Sequence, residues 1–268
     1  MSAAERRLGL GTYGLTGEAG IAAIESGLRA GYRLLDTAVS YGNEPEVGQA
    51  LRRSEVPRAE VFVQTKLPGR RHAHVRDSVL GSLDALGLER LDGVLIHWPN
   101  PERDLYVRAW EGLISVQAEG LVGTIGVSNF TPAHLQRIIE ATGVVPAINQ
   151  VEVHPYFAQT ELRREHRRWG IVTQAWSPLG KGTRLLSEPA VLAVAERRGV
   201  TPAQAVLGWH LAAGVVPLPK SVSAARQVEN LAALDVALTA EDLTELAGLD
   251  RPNGRRRADL NPDTHEEW

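Results

Sequence analysis

Residues 61–97, VFVQTKLPGRRHAHVRDSVLGSLDALGLERLDGVLIH, carry the pattern that decides the fold. Two short runs rich in apolar and β-branched residues, VFVQTK and LDGVLIH, are typical of buried strands. Between them lies a longer segment that we expect to form a helix ending near Leu86. A strand, a helix and another strand in succession indicate an α/β fold with a parallel sheet.

The same strand–helix unit recurs along the whole chain. Six more apolar runs complete a set of eight strands: LGLGT, YRLLDT, VGTIGV, AINQVE, IVTQAW and GVVPLP. A helical pattern follows each run, as at residues 18–30, where Ile21, Ile24 and Leu28 share one face. We also expect Thr131 to cap the helix that begins with the residues PAH.

The spacing of these units separates two α/β folds. Eight units spaced by about 25 to 40 residues, without a break in composition, predict a single (β/α)8 TIM barrel that spans residues 1–268. A doubly wound sheet also alternates strands with helices, but no linker divides this chain into two βαβαβ halves. The polar tail at residues 251–268 contains proline and glycine, and we expect it to form a loop over the barrel mouth.

Composition excludes several classes of function. A net charge of −3 gives no electrostatic reason to expect a nucleic-acid partner. The absence of cysteine rules out disulfides, thiolate nucleophiles and zinc–thiolate sites. The N-terminal residues MSAAERR contain no apolar run of a signal peptide, and no segment has the length of a membrane span, so we expect a cytoplasmic protein without membrane contact. No sustained heptad or apolar patch argues for assembly, and we expect a monomer.

The stretch LGLGTYG, residues 8–14, spells G-x-G-x-x-G, and Asp36 follows at about the distance expected of a Rossmann dinucleotide site. That motif needs an apolar strand directly before it and a helix that begins within it. Only MSAAERRL precedes Gly9 and LTGE follows Gly14, so both requirements fail. We assign these glycines to the first barrel strand and its loop, where they allow a cofactor to approach the backbone, and a Rossmann dehydrogenase stays a distant alternative.

The active site of a (β/α)8 barrel is built at the carboxyl ends of its strands. Taken alone, each polar residue at a strand end is explained by structure: an aspartate as a helix cap, and a histidine as part of the packed core. All eight predicted strands, however, end in groups capable of chemistry, which favours a site. These groups are Thr12 and Tyr13, Asp36 with Tyr41 five residues later, Lys66, His97 and Trp98, Ser128 and Asn129, Asn149 and Gln150, Trp176 and Ser177, and Lys220 and Ser221.

Asp36, Tyr41, Lys66 and His97 suit acid–base catalysis without a metal. A tyrosine has a pKa near 10, too high for proton exchange near neutrality. An ammonium about 4 Å away, at an effective dielectric constant near 20, contributes on the order of 4 kcal/mol and lowers that pKa by up to about 3 units. Asp36 would hold Lys66 in its charged form, and His97 is able to bond a substrate carbonyl. Only three of the 29 basic residues are lysines, which favours a role that arginine does not fill.

The chain resembles the aldo-keto reductase family over nearly its whole length. Eight motifs occur in the family's order: DTAVSYG, TKL, LIHWP, GVSNF, NQVEVHPY, AWSPLG, PKS and RQVENL. These motifs and the EEW terminus are most similar to the bacterial 2,5-diketo-D-gluconate reductases. The resemblance implies reduction of an aldehyde or ketone by NADPH, with Tyr41 as general acid and Lys66 lowering its pKa. Asp36 would pair with Lys66, and His97 would orient the carbonyl.

The resemblance also implies a site for NADPH or NADP⁺ and a substrate wall of Tyr13 and Trp98. Ser128, Asn129 and Gln150 would bond the carboxamide, and Trp176 would stack on the nicotinamide ring. The other implied cofactor contacts are Gly11 and Thr12, then Ser177, Leu179 and Gly180 at the pyrophosphate, and Lys220, Ser221, Val222, Ser223, Arg226, Glu229 and Asn230 at the adenosine 2′-phosphate. Lys220 and Arg226 flank a predicted helix start, which by itself suits a phosphate dianion.

One alternative belongs to another class of function. The same barrel also occurs as a cofactor-binding regulatory subunit of ion channels. Because all four predicted catalytic groups are present, the sequence favours the enzyme. Sugar-derived ketones, α-dicarbonyls and simple aldehydes all stay open as substrates.

Overall fold

The computed structural model of the protein describes residues 7–267. Its strands form one parallel sheet in chain order. They are β1 (Leu10–Gly11), β2 (Leu34–Asp36), β3 (Phe62–Leu67), β4 (Leu91–Ile96), β5 (Val122–Ser128), β6 (Ile148–Glu152), β7 (Val172–Trp176) and β8 (Val216–Pro217). The backbone N–H groups of Gly9 and Gly11 donate to the carbonyls of Pro217 and Pro219 at 3.0 and 3.2 Å, which joins β8 to β1. The predicted (β/α)8 barrel is therefore confirmed.

Helices cover the outside of this barrel. They are α1 (Gly17–Ala30), α2 (Glu44–Arg53), α3 (Val75–Leu86), α4 (Tyr106–Ala118), α5 (Pro132–Thr142), α6 (Thr160–Trp169), α7 (Pro189–Arg198), α8 (Pro202–Ala212), α9 (Ala224–Leu231) and α10 (Ala240–Ala247). Thr131 caps α5 through a reciprocal capping box with His134, as expected. Helix α3 ends at Gly87, whose φ of 67° is strained for most other residues. Two helices rather than one separate β7 from β8, a division that the sequence pattern does not resolve.

The register of the strands sorts the barrel interior into layers. Phe62, Gln64 and Lys66 alternate along β3, so all three side chains point to the same side of the sheet. At the amino-terminal end, Phe62 packs with three other buried apolar residues: Leu34, Val216 and Leu218. Gln64 lies above this apolar layer and Lys66 lies above Gln64 at the mouth. The strand alternation thus places an ammonium on top of an amide layer and an apolar floor.

The C-terminal tail lies across the carboxyl ends of the strands. The Arg256 N–H donates to a Glu152 carboxylate oxygen at the end of β6, at 2.8 Å. Farther along, Glu266 accepts from the side chain of Asn100 at 3.0 Å and from the Glu102 N–H at 2.7 Å. The predicted loop over the barrel mouth is therefore present. Within residues 7–267, no helix has the length and apolar character of a membrane span.

Candidate active site

A cavity of about 750 Å³ opens at the carboxyl ends of the strands. Cavities of this size accommodate small ligands and cofactors. Twelve of the residues predicted to form the site line it: Gly11, Tyr13, Asp36, Tyr41, His97, Trp98, Asn129, Gln150, Trp176, Ser177, Leu179 and Lys220. Side chains that lie far apart in sequence are thus brought to one wall by the barrel topology.

Lys66 is the centre of the predicted catalytic group, and its side chain is fully buried. Its ammonium nitrogen lies 2.8 Å from the Asp36 carboxylate, 2.9 Å from the Thr37 carbonyl oxygen and 3.3 Å from the Tyr41 hydroxyl. An ammonium has three donors and no acceptor. All three donors are therefore used, and the Tyr41 oxygen accepts one of them. The phenolic proton of Tyr41 is left free to be donated into the cavity.

The electrostatics of Tyr41 differ in part from the expectation. Burial raises the pKa of Tyr41 above its ordinary value, and the carboxylates of Asp36 and Glu267 raise it further. The Lys66 ammonium lowers the pKa of Tyr41, as expected, but burial outweighs it. The predicted net lowering is therefore wrong for the chain alone. Tyr41 holds its proton at neutral pH, which is the state that a general acid requires.

The charge of Lys66 follows from the same contacts. Burial lowers the pKa of Lys66, but attraction to Asp36 and to the Tyr41 oxygen reverses the effect and raises the pKa above its usual value. The buried lysine therefore stays an ammonium. A buried cation is tolerated only where it is paired and fully hydrogen-bonded, and Lys66 meets both conditions.

Aromatic rings form the wall around Tyr41. The ring centroids of Tyr13 and His97 lie 5.1 and 5.9 Å from that of Tyr41, both edge-on. Trp98 is 7% exposed and Tyr13 is 58% exposed, so one side of the wall is closed and the other is open. The Lys181 ammonium lies 4.9 Å from the Tyr13 ring centroid. Both residues predicted to contact the substrate thus lie on the cavity wall.

Hydrogen bonds to neighbouring groups fix the orientation of the residues predicted to bind the cofactor carboxamide. Asn129 donates from its amide nitrogen to the His97 carbonyl at 3.0 Å and to Ser128 Oγ at 3.1 Å, and its oxygen accepts from Trp176 at 2.8 Å. Gln150 uses both amide hydrogens on buried acceptors, at 2.8 and 3.0 Å. Its oxygen is therefore the group left for a ligand. Asn129 and Ser177 have φ values of 62° and 48°, a strained backbone that often marks functional sites.

Other predicted cofactor residues do not line the cavity. Thr12 Oγ1 donates to the Asp36 carbonyl at 3.0 Å and Ser128 Oγ donates to the Gln150 carbonyl at 2.7 Å, so both support the backbone. Gly180 lies just outside the wall. The remaining residues belong to α9 and the segment before it: Ser221, Val222, Ser223 and Arg226 at the start of the helix, and Glu229 and Asn230 near its C-terminal end.

The start of α9 combines open surface with internal contacts. Lys220, Val222 and Arg226 are exposed. Ser223 caps the helix by accepting from the Arg226 N–H. Glu229 accepts from the Thr201 hydroxyl at 2.6 Å, and Asn230 is buried. Glu229 therefore fastens the helix, and Ser221 is buried like Asn230, while Lys220, Val222 and Arg226 face solvent.

Sequence reasoning missed several residues of the wall. Ser40, Lys181, Arg256, Arg257, Leu260 and Glu267 also line the cavity. The Glu267 carboxylate lies 2.7 Å from His97 Nδ1, and Ser40 Oγ lies 3.1 Å from the same atom. The Arg256 guanidinium donates to the Lys181 carbonyl at 3.1 Å. Ser40 has a signal because it precedes Tyr41, and Lys181 has one because it is one of only three lysines. The tail contacts span too many residues for a local pattern to indicate them.

Known proteins resemble this chain in sequence over nearly its whole length. A family model described as "Aldo/keto reductase family" matches residues 7–251. The chain belongs to the aldo/keto reductase family. It is 50% identical over 261 residues to 2,5-diketo-D-gluconic acid reductase B of Corynebacterium sp. (strain SHS752001), covering 97% of this chain and 93% of the relative. It is 44% identical over 258 residues to the methylglyoxal reductase DkgA of Escherichia coli (strain K12), with coverages of 96% and 92%.

A solved relative agrees in fold. A mutant of Gox0644, solved in complex with NADPH, superposes with a TM-score of 0.89 at 40% identity, and the match covers 95% of this chain and 93% of that one. The predictions of an aldo/keto reductase and of an NADP(H)-dependent, carbonyl-reducing oxidoreductase are confirmed at the level of the family. Among residues 7–267, no cluster of histidine, aspartate and glutamate side chains has the arrangement of a metal site.

The contact between Glu267 and His97 generates a prediction about the tail of this reductase. Burial opposes the charge on Glu267, but attraction to His97, together with hydrogen bonds from His97, Ser40 and the Gly69 backbone, outweighs it and holds the pKa of Glu267 below its usual value. The contact therefore favours the closed tail above the ordinary pKa of glutamate and is lost as the pH falls through the lowered value. At pH 7, Glu267→Gln should reduce the hydrogen-exchange protection factors of residues 263–267 by about tenfold, since it removes a charge-assisted hydrogen bond.

The exposed Glu241 on α10 provides a control. Glu241→Gln should leave the protection factors of the tail unchanged. Equal protection in Glu267→Gln and the unaltered chain would contradict the role assigned to the contact between Glu267 and His97.

Proposed function

We propose that this reductase converts the carbonyl group of a small polar substrate to an alcohol, with Tyr41 as the proton donor. The observation that carries the proposal is the hydrogen bond from Lys66 to the Tyr41 hydroxyl, which turns the phenolic proton away from the lysine and toward the cavity. NADPH supplies the hydride when it is bound. Tyr41 would give its proton to the carbonyl oxygen, which stays bonded to carbon and becomes the hydroxyl group of the alcohol, while Tyr41 is left as a phenolate beside Lys66.

The surrounding groups position this step. Lys66 stabilises the negative charge that forms on the Tyr41 oxygen, and Asp36 keeps Lys66 in place. His97 lies on the cavity wall beside Tyr41, where it is suited to orient the carbonyl. Tyr13 and Trp98 supply the flat apolar surface against which a small substrate packs, and the tail covers one side of the cavity.

The residues present fit a dinucleotide. Next to Asp36, the wall is bare backbone at Gly11, because a side chain there would meet the Leu218 carbonyl oxygen at 3.0 Å. Gln150 offers an acceptor oxygen, which suits a carboxamide NH₂ group. Ser177 and Leu179 continue the wall toward Lys220, which stands at the opening. Lys220 and Arg226, with the capped start of α9, are suited to hold the 2′-phosphate of NADPH.

The substrate class we favour is small dicarbonyl compounds. Two relatives that share 44–50% identity with this chain are named for 2,5-diketo-D-gluconic acid and for methylglyoxal. The basic side chains of Lys181, Arg256 and Arg257 near the cavity suit a second polar group at a distance from the reacting carbonyl. We further propose that residues 1–268 form one domain, and that the protein acts as a monomer in the cytoplasm.

The proton donor is tested by Tyr41→Phe. Loss of a general acid costs roughly a hundred- to ten-thousandfold in rate, so we expect kcat for methylglyoxal reduction to fall by about 1,000-fold. The Kd for NADPH, measured by fluorescence titration, should change less than about twofold, since the ring is retained. Tyr106→Phe on α4, which is outside the cavity, should keep normal turnover. Near-normal kcat in Tyr41→Phe would refute the mechanism.

The phosphate site is tested by Lys220→Ala. Removing a charge that contacts the 2′-phosphate should raise the Kd for NADPH by about tenfold or more and leave the Kd for NADH nearly unchanged. Lys181→Ala removes another lysine of the cavity wall. It should change the Kd for NADPH and the Kd for NADH by the same factor. Equal losses of NADPH and NADH affinity in Lys220→Ala would exclude the assignment.

A further inference from the structure

Three glutamine side chains form a closed ring with Asp36 inside the barrel. Gln64, Gln150 and Gln174 belong to β3, β6 and β7, and their exposures are 0, 1 and 2%. Gln64 Nε2 donates to Asp36 Oδ1 and to Gln174 Oε1, both at 2.7 Å. Gln150 Nε2 donates to the same two oxygens at 2.8 and 3.0 Å. Gln174 Nε2 closes the network by donating to Gln64 Oε1 at 3.0 Å.

The direction of every hydrogen bond in the ring follows from the charge on Asp36. An ionised carboxylate only accepts, so Gln64 and Gln150 must turn their NH₂ groups toward it. The second N–H of each amide then points at Gln174, which must present its oxygen. A protonated Asp36 would carry its hydrogen on Oδ2, which faces Lys66, and Oδ1 would accept the two amide bonds as a neutral and weaker acceptor. The ring therefore stabilises the carboxylate form of Asp36 more than the neutral form.

Such a match has consequences for a fully buried ion pair. In an interior of low dielectric constant, an aspartate and a lysine are able to neutralise each other by proton transfer, which leaves no ammonium beside Tyr41. Two amide donors on one carboxylate oxygen favour the ionised pair, because hydrogen bonds to a charged group are stronger than those to a neutral one. The floor beneath the ring is built from the apolar side chains of the cluster that includes Phe62.

We propose that Gln64 and Gln174 are positioning residues of the reaction, which hold Asp36 ionised for Lys66 and turn the Gln150 oxygen toward the cofactor. Neither residue is among those that line the cavity, and the hydrogen bonds of the Gln174 side chain go to Gln64 and Gln150. Gln174 acts through the orientation of its two neighbours. The ring thereby links the proton-donor side of the site to the cofactor side. This inference rests on the roles proposed above for Tyr41 and Lys66.

Few titratable groups surround Asp36, and none of them is altered by a substitution at a glutamine of the ring. Lys66 of β3 and Tyr41 after β2 are the titratable groups in contact with it or next to it. His97 after β4 and Glu267 of the tail lie beyond Tyr41. Lys220 follows β8, on the far side of β1, and its side chain is exposed. A change confined to the glutamines therefore leaves every charge around Asp36 in place.

The test follows protonation of Asp36 in the ligand-free protein by the ¹³Cγ resonance of labelled aspartate, assigned with Asp36→Asn. Gln64→Leu removes one amide donor from the carboxylate, so at pH 7 the Asp36 resonance should move toward the position of a protonated carboxyl group. Gln174→Leu should move the resonance in the same direction by less. The kcat for carbonyl reduction should fall in the same order in the two variants, because a neutral pair leaves no ammonium beside Tyr41.

Thr173→Val is the matched control, because Thr173 is the neighbour of Gln174 on β7 and bonds to His166 outside the ring at 2.8 Å. It should leave both the position of the Asp36 resonance and kcat unchanged. An unchanged resonance in Gln64→Leu, or an equal change in Thr173→Val, would overturn the proposal. If Gln64→Leu does not fold, Gln174→Leu decides by the same criteria. Because the resonance needs neither cofactor nor substrate, a missing reductase activity would reject the proposed function without obscuring this result.

Discussion

The buried ammonium of Lys66 is the constraint on which the site depends. A cation without solvent costs several kcal/mol unless it is paired and hydrogen-bonded. Lys66 satisfies this condition with one donor to Asp36, one to the Thr37 carbonyl and one to Tyr41. The same contacts that make the charge tolerable give Tyr41 a free proton at the cavity wall. Stability of the lysine and reactivity of the tyrosine therefore have one structural cause.

The architecture of the barrel explains how this arrangement is built. Alternation along β3 places Phe62 at the floor, Gln64 in the middle and Lys66 at the mouth. The apolar floor excludes polar groups from below, and the amide layer supplies hydrogen bonds to Asp36. The mouth is covered in part by the tail, whose Glu267 carboxylate reaches His97. Each layer sets the environment of the one above it.

Much of this could be predicted from the sequence, because the signals are local. Apolar runs of strand length and helices between them indicate the barrel, and polar residues at the strand ends indicate the site, including Lys66 and His97. Asp36 illustrates how a local motif misleads, since the glycines of residues 8–14 imitate a Rossmann turn whose strand and helix are missing. Gln64 and Gln174 had an available signal, because each is a polar residue within a buried strand.

Other features depend on tertiary structure alone. Glu267 contacts His97, which lies 170 positions earlier in the chain, and the periodicity of a sequence does not predict such a contact. The balance of effects on Tyr41 also needs the structure. Sequence reasoning gives the correct direction for the effect of Lys66, but the degree of burial, which raises the pKa, is known only from the packed chain. Family membership agrees with the geometry without determining which carbonyl compound the cavity accepts.

The central claim is that Lys66 controls the proton of Tyr41. The most direct measurement is the pH dependence of kcat for carbonyl reduction in Lys66→Met, compared with the unaltered chain at saturating NADPH. Removing the ammonium should raise the pKa of Tyr41, so the alkaline limb should move to higher pH by about one unit or more. An alkaline limb at the same pH in both proteins would contradict the account.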